Sequence, residues 1–158
     1  MITLAFFNGA GAASQAIEWF SAGEVSHVAA VMADGNYLDA RLDKEGASAG
    51  GVQMRPASGE GVTEAVRYTI ETSAAEEAAF WDFLHAQIGK PYDVTGILAF
   101  VAGRDWHATD SWFCSELQAA ALEAAGVVNP LYAAANKVTP AALALVCSAV
   151  GTRVARSA

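Results

Sequence analysis

Strand-like segments lie mostly in the first half of the chain and helix-like segments mostly in the second. The strand-like runs are short, apolar and bounded by turn residues, and they occupy residues 2–7, 25–33, 36–42, 52–56 and 65–70. Helical spacing of apolar residues, with start or stop signals, marks residues 14–20, 74–88, 111–125 and 139–150. This order predicts an α+β fold and not an alternating β-α-β arrangement.

Size and composition narrow the class of protein. A chain of 158 residues, 54% hydrophobic and 16% charged, is expected to form a single domain over residues 1–158 with a well-buried core. The net charge of -8 argues against nucleic acid or an anionic lipid surface as partner. Apolar stretches shorter than the roughly 20 residues of a membrane span predict no such span. Residues 1–9 lack the basic start of a signal peptide, which predicts a cytoplasmic chain as encoded.

The chain has two cysteines, Cys114 and Cys147, without close metal-binding spacing, and we interpret them as free thiols. Asp110 or Ser111 can cap a helix that has Cys114 in or near its first turn. Unpaired N–H groups there stabilise a thiolate and can hold an oxyanion, although a lone cysteine is more often a small buried hydrophobe. Cys147 lies in an apolar helix and is assigned to the core.

A catalytic cysteine needs a base, and the sequence offers three histidines. His85 lies on the polar side of a helix and His107 in a loop, so both are interpreted as solvated surface groups. His27 begins an otherwise apolar strand. It is the best candidate for the base, against the simpler alternative of a hydrogen-bonded histidine at a strand edge.

Five short motifs, taken in order, resemble a known family. They are Ser-His-Val-Ala-Ala-Val at residues 26–31, the Asp-Gly hairpin at 34–35, Lys-Pro-Tyr-Asp at 90–93, Phe-Cys-Ser-Glu-Leu at 113–117 and Val-Thr-Pro-Ala-Ala-Leu at 138–143. The chain resembles the circularly permuted papain-like, NlpC-type thiol hydrolases, closest to the YiiX-like branch and related to the lecithin retinol acyltransferase-like branch. The resemblance implies an antiparallel sheet packed against helices. It also implies Cys114 as nucleophile and His27 as base, with no metal or cofactor.

The same resemblance implies a third polar residue that orients the histidine, and it places this role on Asp39. A tight turn at Asp34-Gly35 would pair Ala30 with Asp39 and put Asp39 on the sheet face opposite His27. A longer turn over residues 34–36 would set Asp43 directly across from His27, so that Asp39 would need a bulge. Asp43 is therefore the rival candidate.

Two aromatic residues are candidates for substrate binding. Trp112 can line a cleft or pack into the core. Tyr92 falls where the family carries a tyrosine, but a tyrosine after a helix-stopping proline is as often structural.

Cys114 and His27 together predict attack of a thiolate on an amide or ester carbonyl through a thioester intermediate, and the resemblance implies a hydrolase of amide bonds in peptides. The resemblance implies bacterial cell-wall peptides as the first substrate class, which would require a phage particle or another release route for a chain without a signal peptide. The alternatives are an acyl ester or lipid substrate, including acyl transfer, and a non-catalytic binding or structural module on the same fold.

Overall fold

The computed structural model describes residues 1–9, 23–41, 50–56, 62–93, 110–129 and 138–154. Within them the strands are β1 (Ile2–Gly9), β2 (His27–Val31), β3 (Tyr37–Arg41), β4 (Gly51–Arg55), β5 (Val62–Ile70) and β6 (Thr152–Val154). The helices are α1 (Ala74–Ala86), α2 (Cys114–Ala124) and α3 (Pro140–Val150). The helix predicted at residues 14–20, His107 and the rival residue Asp43 lie outside the described residues.

The described strands form a six-stranded sheet in the order β4-β3-β2-β1-β5-β6, and each neighbouring pair is antiparallel. Strands β1 and β2 are central, which agrees with the apolar character of their sequences. The predicted α+β class is confirmed. Strand β6 was not predicted, because its three residues are exposed and carry no apolar alternation.

The hairpin between β2 and β3 has a register that neither predicted turn anticipated. Ala30 pairs with Leu38 and Val31 with Tyr37, so the loop comprises residues 33–35. The loop closes through bonds between Met32 and both Asn36 and Gly35. This register puts the odd-numbered residues of both strands on one face. His27 and Asp39 therefore lie on the same face of the sheet. The opposite-face arrangement expected from a tight turn at residues 34–35 is wrong, and Asp39 reaches this face without a bulge.

Local capping interactions fix the starts of two helices. Thr139 caps α3 by accepting the N–H of Ala142 at 3.1 Å, and Pro140 occupies the first turn, where its missing N–H costs nothing. Ser73 and Glu76 form a capping box at the start of α1. Helix α1 ends two residues before the predicted residue 88, with Gln87 as its cap.

The core lies between one sheet face and the helices. Helix α2 packs on β2 and β3 and contacts both α1 and α3. The buried side chains of α2 belong to the same apolar cluster as those of the central strands. The largest fully buried apolar side chains of this core are Phe6, Phe80, Ile2, Leu4, Leu38, Leu84, Leu117, Leu122 and Leu143. In the part of the chain that the structure describes, no helix has both the length and the apolar character to cross a lipid bilayer.

Candidate functional site

Cys114 is the first residue of α2, which begins there and not at residue 111 as predicted. The preceding residues belong to a short bridge between Trp112 and Tyr92. The Trp112 N–H donates to the carbonyl of Pro91 at 3.0 Å, and the Trp112 carbonyl accepts the N–H of Asp93 at 3.1 Å. These bonds keep Trp112 out of the helix and delay the helix start.

Phe113 therefore occupies the cap position, with extended backbone angles (φ -85°, ψ 153°). The carboxylate of Glu116 accepts the Phe113 N–H at 3.2 Å, and a negative group in the first turn also interacts favourably with the helix dipole. The predicted caps, Asp110 and Ser111, lie before this position, so that prediction is wrong. The predicted placement of Cys114 at the positive end of a helix is confirmed.

The Cys114 thiol is fully buried near the start of β2. Its Sγ lies 4.0 Å from the carbonyl oxygen of Ser26, the residue before that strand. Ser26 is itself held by its N–H bond to the carbonyl of Phe7 at 2.8 Å. Main-chain pairing between β1 and β2 thus places the first residue of β2, His27, beside the start of α2.

The His27 ring is almost enclosed, with 13% of its side chain exposed. Its Nε2 lies 2.8 Å from Oδ2 of Asp39, and its ring packs against Phe7 with centroids 5.8 Å apart. Since Asp39 engages Nε2, Nδ1 is the nitrogen left for Cys114. The structure therefore brings together the two residues predicted as base and orienting group.

Opposing effects act on the pKa of His27. Burial lowers it, because a charged ring loses solvation. The negative charge of Cys114, hydrogen bonds with Asp39 and Cys114, and the charge of Asp39 raise it more, to about 10. Cys114 and Asp39 thus act on the same ring and favour its protonated form.

Asp39 is 2% exposed and divides its two oxygens between two partners. Oδ2 faces His27, and Oδ1 accepts a bond from Nη1 of Arg55 at 2.9 Å. Sequence reasoning missed Arg55. Its role depends on the pairing of β4 with β3, which sets Gln53 opposite Asp39 and Arg55 opposite Tyr37. No local sequence pattern around residue 55 predicts the pairing of β4 with β3.

Tyr92 lies in a segment fastened between β4 and the start of α2. The Val52 N–H donates to the carbonyl of Lys90 at 3.0 Å, and Gly51 forms a bridge with Pro91. Burial raises the pKa of Tyr92 well above its usual range, and so do the charges of Cys114, Asp39 and Asp93. Tyr92 is therefore within electrostatic reach of the predicted nucleophile, and its hydroxyl is held in the protonated form.

Trp112 has a different environment. Its indole N–H donates to Oε1 of Gln87 at 3.0 Å, and its ring meets Phe83 edge-on with centroids 5.8 Å apart. These contacts join the start of α2 to helix α1. The side-chain contacts of Trp112 are those of a packing residue, and its substrate role stays a prediction.

The remaining predicted groups lie elsewhere. Cys147 is fully buried in α3, and burial raises the pKa of its thiol to about 12, so its assignment to the core is confirmed. His85 is exposed on α1, as predicted, with its ring stacked on Trp81.

Among the described residues, no group of three or more histidine, cysteine, aspartate or glutamate side chains is arranged to hold a metal ion. Chemically, the arrangement provides a thiol at a helix start, a protonated ring beside it and a carboxylate behind the ring. These are the parts that nucleophilic acyl chemistry requires. Comparison of the chain with protein-family models and with curated proteins found no match.

Proposed function

We propose that this chain is a cysteine-dependent hydrolase of amide bonds in peptides, of the permuted papain-like NlpC type, with cell-wall peptides as the first substrate class to test. The observation that carries the proposal is the alignment of Cys114, His27 and Asp39. Cys114 begins a helix, and His27 interacts with both Cys114 and Asp39. A nucleophile, a base and a group that orients the base constitute the minimum for this chemistry.

In the first half of the reaction, His27 holds the proton taken from Cys114, and the sulfur attacks the carbonyl carbon of the substrate. The carbon–nitrogen bond breaks as His27 returns the proton to the leaving amine, and a thioester remains on Cys114. A pKa of about 10 suits this step, because the ring arrives at the tetrahedral intermediate already protonated.

The second half needs His27 as a base. Acylation removes the negative charge of Cys114, which is one of the effects that raise the pKa of His27. The ring can then accept a proton from water while the hydroxide adds to the thioester carbonyl. Breakage of the carbon–sulfur bond releases the carboxylic acid and restores Cys114.

Two sets of donors are available for the negative oxygen of the tetrahedral intermediate. The N–H groups in the first turn of a helix have no acceptor within that helix, and Cys114 begins α2. The Tyr92 hydroxyl, which stays protonated among Cys114, Asp39 and Asp93, is the second donor that we propose.

Trapping an acyl-enzyme tests both the nucleophile and the substrate class. Intact-mass and peptide-mass measurements would follow the chain after exposure to matched panels of peptide amides, acyl esters and lipid-derived acyl donors. We expect an added acyl mass on Cys114 from peptide amides, abolished in the Cys114→Ala variant. Cys147→Ser is the matched control, since Cys147 lies on α3 and burial raises the pKa of its thiol to about 12.

The outcomes separate the alternatives. Acyl mass from esters or lipids alone would replace the peptide substrate with an acyl ester or lipid. Acylation that persists in Cys114→Ala would contradict the nucleophile. A folded wild-type chain that takes no acyl group from any member of the panels, and releases no product, would favour a non-catalytic binding module.

A further inference from the structure

Arg55 is a buried cation at the back of the candidate site. It lies on β4 and is 6% exposed, although arginine is among the residues least often buried. Nη1 donates to Oδ1 of Asp39 at 2.9 Å, and Nη2 reaches the carbonyl of Gly51 at 3.4 Å. A buried guanidinium is costly unless its charge is paired, so the pairing with Asp39 is a principal determinant of its position.

The contacts link four residues from four separate elements. Cys114 comes from α2, His27 from β2, Asp39 from β3 and Arg55 from β4. When Cys114 is ionised and His27 protonated, their charges alternate in sign along the series. Asp39 is the shared member, because one of its oxygens faces His27 and the other faces Arg55.

We propose that Arg55 is a positioning residue that acts through Asp39: it fixes the orientation of the carboxylate and offsets its charge, so that His27 can both hold and release a proton. This inference rests on the proposed function. It assigns a role to a residue that touches neither Cys114 nor substrate in the proposed mechanism.

Geometry supports the orienting part of this role. An aspartate side chain can rotate, and only one of its orientations sets Oδ2 at 2.8 Å from His27. A charge-assisted bond from Arg55 to the other oxygen restrains that rotation from behind. The guanidinium is restrained in turn by the Gly51 carbonyl.

Charge supports the second part. A buried carboxylate facing only His27 would stabilise the imidazolium in every step, including the hydrolysis of the thioester, where a neutral ring is needed. Arg55 offsets part of that negative charge. Tyr92 is a further titratable group within electrostatic reach of this carboxylate, and Asp93 acts on Tyr92 as well. Lys90 of the same segment pairs with Asp110 at 3.3 Å.

Replacement of Arg55 by methionine removes a positive charge and keeps an unbranched apolar side chain. A more negative site favours protons, so the thiolate of Cys114 should form at higher pH and the imidazolium of His27 should be lost at higher pH. Both the acid and the alkaline limb of the pH profile of kcat/KM should therefore move to higher pH. We expect a shift of about one pH unit, which is about tenfold in rate on the acid limb.

The same shift can be read without a substrate. The rate at which iodoacetamide alkylates Cys114, followed by peptide mass from pH 4 to pH 9, reports formation of the thiolate. The pH at which that rate reaches half of its plateau value should also rise by about one unit in Arg55→Met. Failure to find any turnover would count against the proposed function, whereas the alkylation profile would still test Arg55.

Arg67→Met is the matched control. Arg67 likewise pairs with a carboxylate, that of Glu64, through bonds of 2.7 and 3.1 Å. It lies on β5, and it also donates to the hydroxyl of Tyr37 at 3.4 Å. The variant loses the same charge, and its alkylation profile should match that of the wild type. An equal shift in Arg55→Met and Arg67→Met would overturn the proposal, since net charge alone would explain it.

A conservative variant separates positioning from folding. Arg55→Lys keeps the charge but loses the fork of donors that restrains Asp39. We expect its limbs to stay within about 0.3 pH units of the wild type, while kcat, or the plateau rate of alkylation, falls about threefold to tenfold. Two results would show that Arg55 only stabilises the fold. One is a folded Arg55→Lys variant with the wild-type kcat and plateau rate of alkylation. The other is a folded Arg55→Met variant whose pH profiles are not shifted. If Arg55→Met does not fold, the plateau rate of alkylation in Arg55→Lys tests the proposal by itself.

Discussion

At the scale of single residues, His27 is the group in the site on which opposing influences act most directly against one another. Burial acts against its charge, while Cys114 and Asp39 act in favour of it, and the balance raises its pKa to about 10. The ring is therefore expected to remain protonated across the neutral range. Its proton should be lost only as the pH rises through about 10.

The contribution of Cys114 to this balance can be measured by NMR. In Cys114→Ala the negative charge next to the ring is gone, and we expect the pKa of His27 to fall, because the opposing effect of burial remains. Titration of the ring resonances, assigned with His27→Gln, gives the value directly. Cys147→Ser should leave it unchanged, and an unchanged value in Cys114→Ala would contradict the pairing.

Residue types indicated part of this site in advance. A cysteine after helix-start signals and a histidine at the head of an apolar strand can be recognised locally, and the motif order pointed to Asp39. Arg55 could not be recognised in the same way. An arginine in a short strand is ordinary at an edge, and only the register of β4 on β3 brings its guanidinium to Oδ1 of Asp39.

At the scale of elements, the site depends on how the segment before α2 is fastened. Residues 89–93 run between β4 and Trp112, and the segment carries Tyr92 into the site. Gly51 makes this close approach possible. Its φ is +147°, and a Cβ at this position would lie 2.3 Å from the carbonyl oxygen of Lys90.

Gly51→Ala should therefore separate β4 from the segment that carries Tyr92. We expect a loss of about 2 kcal/mol or more in the free energy of unfolding, because both the backbone angle and the contact are unfavourable for alanine. Urea denaturation measures this loss. The rate of alkylation of Cys114 should change as well, since Tyr92 would move relative to the thiol.

Gly35→Ala is the matched control for the backbone angle. Gly35 also has a positive φ, +85°, but no atom lies within 4 Å of its Cβ position. We expect a cost of about 1 kcal/mol from the angle alone and no change in alkylation. Equal losses in the free energy of unfolding for Gly51→Ala and Gly35→Ala would show that the close contact with Lys90 does not contribute to the loss.

The start of α2 shows how elements adjust one another. Apolar spacing and polar caps favoured a helix from residue 111, yet Trp112 pairs with the segment at Tyr92 and cannot adopt helical geometry at the same time. The helix therefore begins at Cys114. This displacement moves Cys114 to the very end of the helix, where the unpaired N–H groups are.

At the scale of the whole molecule, one apolar cluster joins the central strands to helices α1, α2 and α3. Leu122 on α2 is fully buried in it, whereas Leu145 on α3 is 71% exposed. A shared core of this kind predicts that the described elements unfold together.

Leu122→Ala should lower the free energy of unfolding by about 3 kcal/mol, because it removes buried methyl groups and leaves a cavity. Far-UV circular dichroism and tryptophan fluorescence should report the same shifted urea midpoint. Leu145→Ala should change it by less than about 0.5 kcal/mol. Midpoints that separate between the two probes would indicate independent units within the chain.

The sequence by itself determined the α+β class, the approximate positions of β1 to β5 and of the three described helices, the cap of α3, and the identity of Cys114 and His27 as candidates. These features follow from short-range periodicity, capping chemistry and motif order, all of which are local. Tertiary structure alone decided the register that puts Asp39 on the face of His27, the start of α2 at Cys114, and the burial of Arg55 behind Asp39. Each of these results from pairing between distant segments, where a shift of one residue reverses the face that a side chain occupies.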